Sequence, residues 1–526
     1  MYLRFLGPLG RVTGSGYLLF DEMSKFQCLV DFGLVQDEAG ADAWNRGPLP
    51  FDPRQLSLVV LTHAHIDHSG LIPRLYREGY TGWVWSTAAT AKLAKLSLLD
   101  SARLGTTPYC EADVQAIRWY GLQAGATDLN KIQTGPDITL TPYRTAHLPG
   151  AVAVRIEWPR GSILFSGDVG PSTATNPQHL LLAPRDALPA SDHLVCEATY
   201  GDRVRPEEDK GLGRRLKALL DAVTPSLASG GTVLMPVFAV GRAQDLIFDL
   251  TWLAACNPQL FCNVDVVLHS TLATQVTAAY ADALTGANSA HWLNPQLHQW
   301  MGQGGLHPDV VRYLVRMVLL GGGPLPASFL TPQAIAAAPM LLNWRCIYRT
   351  VSGRLASRNR DGRPRIVLAT SGMMSNGPIC SYLPGHLGDP RSAVVITGHQ
   401  AQNSLGAKLL KIGEMSPQAR SWSPNQLMVP TGAGLTAAPY NQVQARIAKV
   451  SGYSGHADQP SLAEWLAPNG RAVAPRIYLT HGENPARMAL AQTLRMAASG
   501  VDVITPTSSA EWWCLDRTQG IATRAA

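Results

Sequence analysis

The stretch Thr62-His63-Ala64-His65-Ile66-Asp67-His68-Ser69-Gly70 places three histidines and one aspartate within six positions. Directly upstream, residues 58–61 form an apolar run of strand length. After Gly70 the pattern is typical of a helix that opens beyond a loop. The four polar side chains therefore follow a predicted buried strand, at a point where they can converge.

This cluster has the chemistry of a metal site. In an extended backbone His63 and His65 share a face, whereas Asp67 and His68 follow on the loop and can point to a second position. Imidazole nitrogens and a carboxylate suit Zn²⁺ or Mn²⁺ and need no thiolate. The alternative is a set of ordinary core or loop histidines, but ionisable groups this crowded need a cation or extensive hydrogen bonding to stay buried.

Size and composition indicate a folded protein of several domains. The 526 residues are enough for about two to four domains. The hydrophobic content of 46% supplies a sizeable core and argues against global disorder. The 44 basic and 38 acidic residues give a net charge of +6, which permits a polyanionic partner without requiring one.

The cysteines and the hydropathy pattern bear on location. The eight cysteines form no Cys-x-x-Cys pair, as expected for buried thiols in a reducing cytosol. The N-terminus, residues 1–7, is too short and too glycine-punctuated for a signal peptide. No continuous apolar stretch of about 18 residues occurs, so no membrane span is expected. We therefore expect a cytoplasmic protein.

Other predicted strands also end in residues that can bind a metal. His147 follows a strand predicted at 138–146, Asp168 follows a hairpin strand at 162–165, and Glu197 ends another strand. Sites built from successive strand ends are usual in layered α/β folds. His147 and Asp168 are the natural remaining ligands, with Asp168 as the carboxylate that bridges two ions. Asp31 closes an earlier strand and either lies near the metal loop or caps a turn.

The pattern also suggests an insertion. Residues 70–130 are predicted to be mostly helical, and residues 203–210 to be a charged linker or lid. From about residue 205 a second α/β unit begins, with glycine- and serine-rich loops that either approach phosphates or are ordinary βα turns. Residues 286–343 are predicted to be a helical insertion whose role the sequence does not give. After about residue 445 the first pattern returns.

An arginine-rich segment lies late in the second unit. Residues 343–365 hold seven arginines and one aspartate. Such a segment either contacts a nucleic-acid backbone or forms a solvated surface loop.

Three more motifs complete a known pattern: Glu197 in Glu-Ala-Thr-Tyr-Gly-Asp, His456 in Ser-Gly-His-Ala-Asp and His481 in Thr-His-Gly-Glu. Together with Asp31, residues 63–68, His147 and Asp168, they make the chain resemble the β-CASP nucleases, a branch of the metallo-β-lactamase fold. Segments 237–244, 370–373 and 398–400 are also similar to family segments. The resemblance runs along nearly the whole chain.

The resemblance implies an α/β fold: an αββα metallo-β-lactamase sandwich with an inserted α/β β-CASP domain. The implied domains are residues 1–205 and 445–526 for the sandwich and residues 206–444 for the insertion. In this family a histidine at the third motif accompanies RNA-acting members, and valine accompanies DNA-acting ones. His481 therefore favours RNA, most simply single-stranded RNA, as the partner, and a homodimer is left open.

The resemblance also implies a zinc-dependent ribonuclease with two Zn²⁺, manganese being the alternative metal. Asp168 would bridge two sets of ligands, which are His63, His65 and His147 for one ion and Asp67, His68 and His481 for the other. Hydroxide activated by the two ions would attack phosphorus in line, oriented by Asp67. His456 would protonate the leaving 3′-oxygen, with Glu197 fixing its tautomer, and the RNA backbone would be positioned by Arg242, Ser371, Gly372 and Arg345.

Three other functions use the same features. A DNA nuclease is disfavoured by His481 alone. A hydrolase of small thioesters or lactams would share the cluster but would not need a long inserted unit. A non-catalytic scaffold within an RNA-processing complex would be expected to lack metal ligands, which zinc sites require. The choice between internal cleavage and stepwise cleavage from a 5′ end stays open.

Overall fold

The computed structural model divides into two compact units. The described residues are 1–36, 40–123, 132–135, 137–174, 178–206, 211–286, 291–301, 306–321, 326–353, 362–401, 403–431, 434–467, 475–497 and 501–516. The first unit comprises Met1–Thr175, Leu182–Arg205 and Gly455–Ala526, and the second comprises Asn176–Leu181 and Pro206–Ser454.

The described strands, in chain order, are β1 (Tyr2–Leu6), β2 (Gly16–Phe20), β3 (Gln27–Phe32), β4 (Leu58–Val60), β5 (Trp83–Thr87), β6 (Arg118–Leu122), β7 (Ile132–Gly135), β8 (Ile138–Arg144), β9 (Val152–Trp158), β10 (Gly161–Phe165), β11 (His193–Glu197), β12 (Thr232–Pro236), β13 (Asp265–His269), β14 (Tyr348–Val351), β15 (Arg365–Ala369), β16 (Ala393–Ile396), β17 (Gln426–Thr431), β18 (Gly434–Pro439), β19 (Arg446–Lys449), β20 (Arg476–Thr480), β21 (Asp502–Ile504) and β22 (Trp512–Cys514).

The described helices are α1 (Ala41–Arg46), α2 (Ile66–Ser69), α3 (Ile72–Arg77), α4 (Ala88–Arg103), α5 (Glu111–Gln115), α6 (Leu212–Ala228), α7 (Arg242–Cys256), α8 (Pro258–Phe261), α9 (Thr271–Thr285), α10 (Leu297–Trp300), α11 (Pro308–Leu320), α12 (Pro332–Ala337), α13 (Pro378–His386), α14 (Leu405–Glu414), α15 (Pro417–Trp422), α16 (Gln459–Leu466) and α17 (Asn484–Ala497). No helix in these ranges has the length and apolarity needed to cross a bilayer.

The first unit is a sandwich of two mixed sheets. Their strand orders are β22-β1-β2-β3-β4-β5-β6 and β21-β20-β11-β10-β9-β8-β7. Aromatic side chains join the two sheets: the ring centroid of Phe5 lies 5.6 Å from that of Tyr478, and that of Tyr17 lies 5.4 Å from that of Phe165. Such face-to-face contacts form the core of a layered fold.

Helices cover the outer sides of this sandwich. The helix α4 packs against β5 and β6, and its first turn is capped by Thr87, whose side chain accepts a hydrogen bond from the backbone N–H of Thr90. On the other side, Leu462 of α16 and Leu490 of α17 share a buried cluster with Leu479 of β20. The αββα arrangement expected from the sequence is confirmed.

Parallel pairing brings the functional strand ends together. In the second sheet β10, β11 and β20 run parallel, and Glu197 lies opposite Thr480. In the first sheet β3, β4 and β5 are parallel. Because parallel strands end at the same edge of a sheet, the residues that follow β10, β11 and β20 meet at one edge.

The second unit has its own sheet. It is six-stranded, in the order β14-β13-β15-β12-β16-β19, and its five pairs of neighbouring strands are all parallel. A two-stranded hairpin, β17-β18, stands beside α13 and α14. The helical insertion predicted at 286–343 contains α10, α11 and α12 in its described parts, so its helical character is confirmed.

One prediction of local structure was only partly right. Residues 70–130 contain α3, α4 and α5, as predicted, but β5 and β6 also cross this region as the edge of the first sheet; residues 124–130 lie outside the described ranges. The short alternating run Trp83–Thr87 is followed at once by the alanine-rich α4, and the helical pattern obscured it.

The junction between the units also differs from the prediction. The sequence places residues 445–526, and with them β19, in the returning sandwich, but β19 pairs with β16 of the six-stranded sheet, and the second unit extends to Ser454. At the other junction the carbonyl of Arg203 accepts a hydrogen bond of 2.9 Å from the backbone N–H of Gln459. This contact favours a fixed linker over a lid at Arg203, while residues 207–210 of the predicted linker or lid lie outside the described ranges.

Candidate metal centre

The loop after β4 is fixed by tight packing on neighbouring backbone. The carbonyl oxygen of Asp67 accepts a hydrogen bond of 2.8 Å from the N–H of Ser15, and the N–H of Leu34 donates to Ile66 at 3.0 Å. A Cβ atom at Gly33 would stand only 1.6 Å from the Asp67 carbonyl oxygen. The absence of a side chain at Gly33 thus lets the chain turn its polar residues inward.

One set of ligand atoms comes from His63, His65, His147 and Asp168, all within 4.8 Å of one another. His65 Nδ1 lies 2.9 Å from His147 Nε2. Asp168 Oδ2 lies 3.3 Å from His63 Nε2 and 3.4 Å from His147 Nε2. The predicted first ligand set is therefore gathered at one point.

A second set comes from Asp67, His68 and His481, also within 4.8 Å of one another. Asp67 Oδ2 lies 3.7 Å from His481 Nε2. The other oxygen of Asp168, Oδ1, lies 3.2 Å from His68 Nε2 and 3.6 Å from His481 Nε2. Each carboxylate oxygen of Asp168 thus faces a different histidine set, which is the geometry that a bridging ligand requires.

The outer nitrogens of three histidines have fixed partners. His68 Nδ1 donates to Asp31 Oδ2 at 2.7 Å, and His147 Nδ1 donates to the carbonyl of Gly455 at 2.7 Å. His481 Nδ1 lies 2.7 Å from the hydroxyl of Ser15. Partners of this kind set the tautomer and orient the ring, so that Nε2 presents its lone pair to an ion.

Asp31 resolves an alternative that the sequence left open. Besides His68, its carboxylate accepts hydrogen bonds from the backbone N–H of Thr62 at 2.8 Å and from the hydroxyl of Thr62 at 2.7 Å. It therefore lies beside the metal loop and holds it. Ser15 was not predicted as a site residue; its only sequence signal is its place between two turn glycines.

The residues fit a pair of divalent ions. His63 Nε2, His68 Nε2, His481 Nε2 and Asp168 Oδ1 are buried without a hydrogen-bond partner among the described residues. Each such atom costs about 1–3 kcal/mol when left unsatisfied, and two cations, one at each ligand set, would satisfy all four. Nitrogen and oxygen donors without thiolate suit zinc or manganese.

The pKa shifts of His65 and Asp168 agree with metal binding. Burial would lower the pKa of His68, but Asp168 and Asp31 raise it well above its usual range, so an ion bound there would displace a proton from this ring. Burial, with the charge of His63 next, lowers the pKa of His65 to about 3, so that its nitrogens are free of an extra proton. Burial alone would raise the pKa of Asp168, but the neighbouring histidines, His68 above all, hold it well below its usual range. The bridging position therefore carries a carboxylate.

A third cluster joins Glu197 and His456 to Asp168. His456 Nδ1 donates to Glu197 at 3.0 Å, and the Glu197 carboxylate also accepts the backbone N–H groups of Val169 at 2.7 Å and Thr199 at 3.2 Å. His456 Nε2 lies 3.9 Å from Asp168 Oδ2. Burial opposes the charge, yet Glu197 and Asp168 raise the pKa of His456 to about 10.

The four residues predicted to hold RNA lie in the second unit, and they do not share one edge of its sheet. Arg242 begins α7 after β12, and Ser371 and Gly372 follow β15, so these three lie at the carboxyl end of the parallel strands. Arg345 precedes β14, which places it at the opposite edge. All strands of this sheet run in the same direction, so a residue that precedes a strand and a residue that follows one lie at opposite ends of the strands. Arg345 therefore lies apart from the other three.

Some of the other arginines near Arg345 have structural partners. Arg349 Nε and Arg365 Nε lie 2.8 and 3.0 Å from the carboxylate of Asp265 at the start of β13. These two side chains hold the amino end of the sheet, which favours the structural interpretation for them.

Comparison with known proteins gives the class. Residues 14–205 match the metallo-beta-lactamase superfamily, residues 243–409 the Beta-Casp domain, and residues 440–506 the Zn-dependent metallo-hydrolase RNA specificity domain. The fold and the histidine–aspartate centre thus define a metal-dependent hydrolase of this superfamily.

One relative matches this chain over nearly the full length of both proteins. The chain is 30% identical over 512 residues to the ribonuclease TTHA0252 of Thermus thermophilus, and the match covers 94% of this chain and 96% of that protein. The chain therefore belongs to the β-CASP ribonuclease family, and the resemblance noted from the sequence is confirmed.

Longer relatives match as well. The transcription termination factor FttA of Methanothermobacter thermautotrophicus is 27% identical over 493 residues, 90% of this chain and 66% of that protein. The factor of the same name from Methanocaldococcus jannaschii is 27% identical over 514 residues, 93% of this chain and 68% of that protein. The chain thus spans about two thirds of the length of these two factors.

Proposed function

We propose that this protein hydrolyses phosphodiester bonds of single-stranded RNA at a centre that holds two divalent ions, zinc or, alternatively, manganese. Family membership, the match to an RNA specificity domain and the relative named a ribonuclease support RNA as the substrate. The observation that carries the proposal is Asp168, whose two oxygens face two histidine sets at 3.2–3.6 Å.

The proposed ligands are the predicted ones. His63, His65 and His147 would hold one ion, Asp67, His68 and His481 the other, and Asp168 would bridge them. When bound, divalent ions make an attacking water more acidic and offset the negative charge of the phosphoryl oxygens.

The protein's own residues supply orientation and protons. The side chain of Asp67 is 19% exposed, against 2% for His481 and Asp168, so Asp67 can also orient an attacking water. The side chain of His456 is likewise 19% exposed. Against the effect of burial, Glu197 raises the pKa of His456 and holds its Nδ1 at 3.0 Å, so that His456 can donate a proton from Nε2 to the departing 3′-oxygen.

The direct test compares substrates and metal content. Pure protein should carry two ions per chain and cleave single-stranded RNA faster than the same sequence in DNA, a thioester or a lactam. Asp67→Ala should abolish cleavage, while the metal-free variant unfolds at a temperature close to that of the metal-free parent. Equal cleavage of DNA, or full activity of Asp67→Ala, would refute the corresponding part of the proposal.

A further inference from the structure

The segment that carries His456 is held by an arginine outside the recognised motifs. The guanidinium of Arg205 donates from Nη2 to the carbonyl of His456 itself. The backbone N–H of Arg205 also donates to Asp458 Oδ2 at 3.0 Å. Arg205 therefore holds the main chain at the candidate acid and the side chain of Asp458, two residues beyond it.

A second arginine holds the far end of the same segment. Arg185 Nη2 donates to the carbonyl and hydroxyl of Ser461 at 2.8 and 2.9 Å, and its Nη1 donates to the carbonyl of Gly170 at 3.0 Å. Ser461 lies in the first turn of α16, and Gly170 lies two residues after Asp168. The side chain of Arg185 thus ties the bridging carboxylate's loop to the helix that follows His456.

Arg185 is an expensive residue for a merely structural role. It is 9% exposed, and no carboxylate in the described part of the chain lies within ion-pair distance of it. Burial lowers its pKa to about 10, which reflects the cost of desolvating the guanidinium. Apolar side chains would fill the same space with a smaller desolvation penalty. The charge of Arg185 provides the hydrogen bonds to the two loops and a cation–π contact with Trp465, whose ring centroid lies 5.6 Å from Arg185 Cζ.

The peptide between these loops is part of the same frame. The backbone N–H of Ala457 donates to the carbonyl of Val169 at 2.7 Å, and Val169 itself donates to Glu197. A shift at Gly170 would therefore move Asp168, Glu197 and His456 relative to one another. A displacement of about 1 Å between reacting groups can slow chemistry about 100-fold.

We propose that Arg185 and Arg205 are positioning residues that clamp the backbone around His456 and so set its Nε2 relative to Asp168. The proposal rests on the role of His456 as general acid proposed above. The rival role for Arg205 is a direct contact with an RNA phosphate, which would act on binding instead of proton transfer.

The test separates proton donation from all other contributions. Two oligoribonucleotides carry one scissile linkage each, with a 3′-oxygen in the first and a 3′-sulfur in the second. When the P–O3′ bond breaks, the oxygen takes the proton from His456 Nε2; when the P–S bond breaks, the thiolate leaves without a proton. Single-turnover rates at saturating enzyme are measured for the parent and for Arg185→Met, Arg205→Met and His456→Ala, with exposed Arg54→Met as the matched control.

The clamp predicts a selective defect. Arg185→Met and Arg205→Met should slow the oxygen substrate about 10- to 100-fold and leave the sulfur substrate within about threefold of the parent, with metal content unchanged. Arg54→Met should match the parent on both substrates. Arg185→Lys, which keeps the charge and can make only part of the contacts, should show a smaller defect of the same kind and replaces Arg185→Met if that variant does not fold.

Different results overturn different statements. If His456→Ala slows both substrates equally, His456 is not the general acid and the proposed function is wrong at that point. If His456→Ala spares the sulfur substrate but both arginine variants slow the two substrates equally, the clamp is refuted. A raised concentration for half-saturation with Arg205→Met, together with a weaker salt dependence, would assign Arg205 to RNA binding instead.

Discussion

Replacing Asp31 by asparagine should weaken the binding of one of the two ions without changing any of its proposed ligands. In the native site Asp31 Oδ1 accepts the Thr62 N–H, and Oδ2 accepts both the Thr62 hydroxyl and His68 Nδ1–H. An asparagine must keep its oxygen toward the Thr62 N–H, so its NH₂ group faces His68. His68 then has to accept at Nδ1, which moves its proton to Nε2, where the ion would bind.

The size of the effect follows from the hydrogen bonds. Loss of an outer partner of a ligating histidine typically costs 10- to 100-fold in metal affinity, or about 1.4–2.7 kcal/mol. Because asparagine keeps the shape and one of the three hydrogen bonds, we expect the free energy of unfolding of the metal-free protein to fall by only about 1–2 kcal/mol. The metal effect should thus be separable from the effect on folding.

The assay is competition for metal against a chromophoric chelator. Asp31→Asn should bind its first ion with nearly parental affinity and its second ion 10- to 100-fold more weakly. Asp52→Asn is the matched control, since Asp52 caps a turn through Arg54 at the surface. Parental affinity for both ions in Asp31→Asn would show that Asp31 does not set the tautomer of His68.

Three further outcomes are expected. Ser15→Ala removes the partner of His481 Nδ1 and should weaken the binding of the ion held by His68 and His481 about tenfold. The free energy of unfolding should fall by less than about 1.5 kcal/mol. Chelator competition and thermal melts measure the two effects, and an unchanged metal affinity would contradict the prediction. Gly33→Ala sets a methyl group 1.6 Å from the Asp67 carbonyl oxygen and should lower the free energy of unfolding by more than about 3 kcal/mol. Its control is Gly213→Ala in α6, where no atom lies within 4 Å, and which should be neutral or stabilising by up to about 1 kcal/mol. Equal melting temperatures of the two variants would refute the packing argument. Chelation of the metal should lower the melting temperature, because ions at 100 times their dissociation constant add about 2.7 kcal/mol; an unchanged melt would mean that the ions do not bind the folded state.

The candidate ligands could be located from the sequence because most of them follow a strand that the sequence marks clearly. His63, His147 and Asp168 come after apolar runs, and parallel pairing then brings such ends together. Ser15 carries no periodic signal, and only the close approach of its hydroxyl to His481 gives it a role. For Asp31 the sequence allowed a place near the metal loop or a role as a turn cap, and only the contacts of its carboxylate distinguish the two.

Errors occurred where the local pattern does not determine the partner strand. The segment Arg446–Lys449 alternates as a strand should, but its pattern fits either sheet, since pairing depends on distant residues. Arg345 comes from the arginine-rich segment and Ser371 from a serine-rich loop, and only the order of strands shows that they lie at opposite ends of the parallel strands; their contacts with RNA stay a prediction. Arg185 and Arg205 fall outside every recognised motif, and their hydrogen bonds to backbone carbonyls leave no mark in the sequence.

The most direct test of the central claim is anomalous diffraction at the absorption edge of the bound metal. We expect two peaks, one on each side of Asp168. One should lie among His63, His65 and His147 and the other among Asp67, His68 and His481. A single peak, or no peak between these two groups in protein purified without chelator, would contradict the assignment of a two-ion centre.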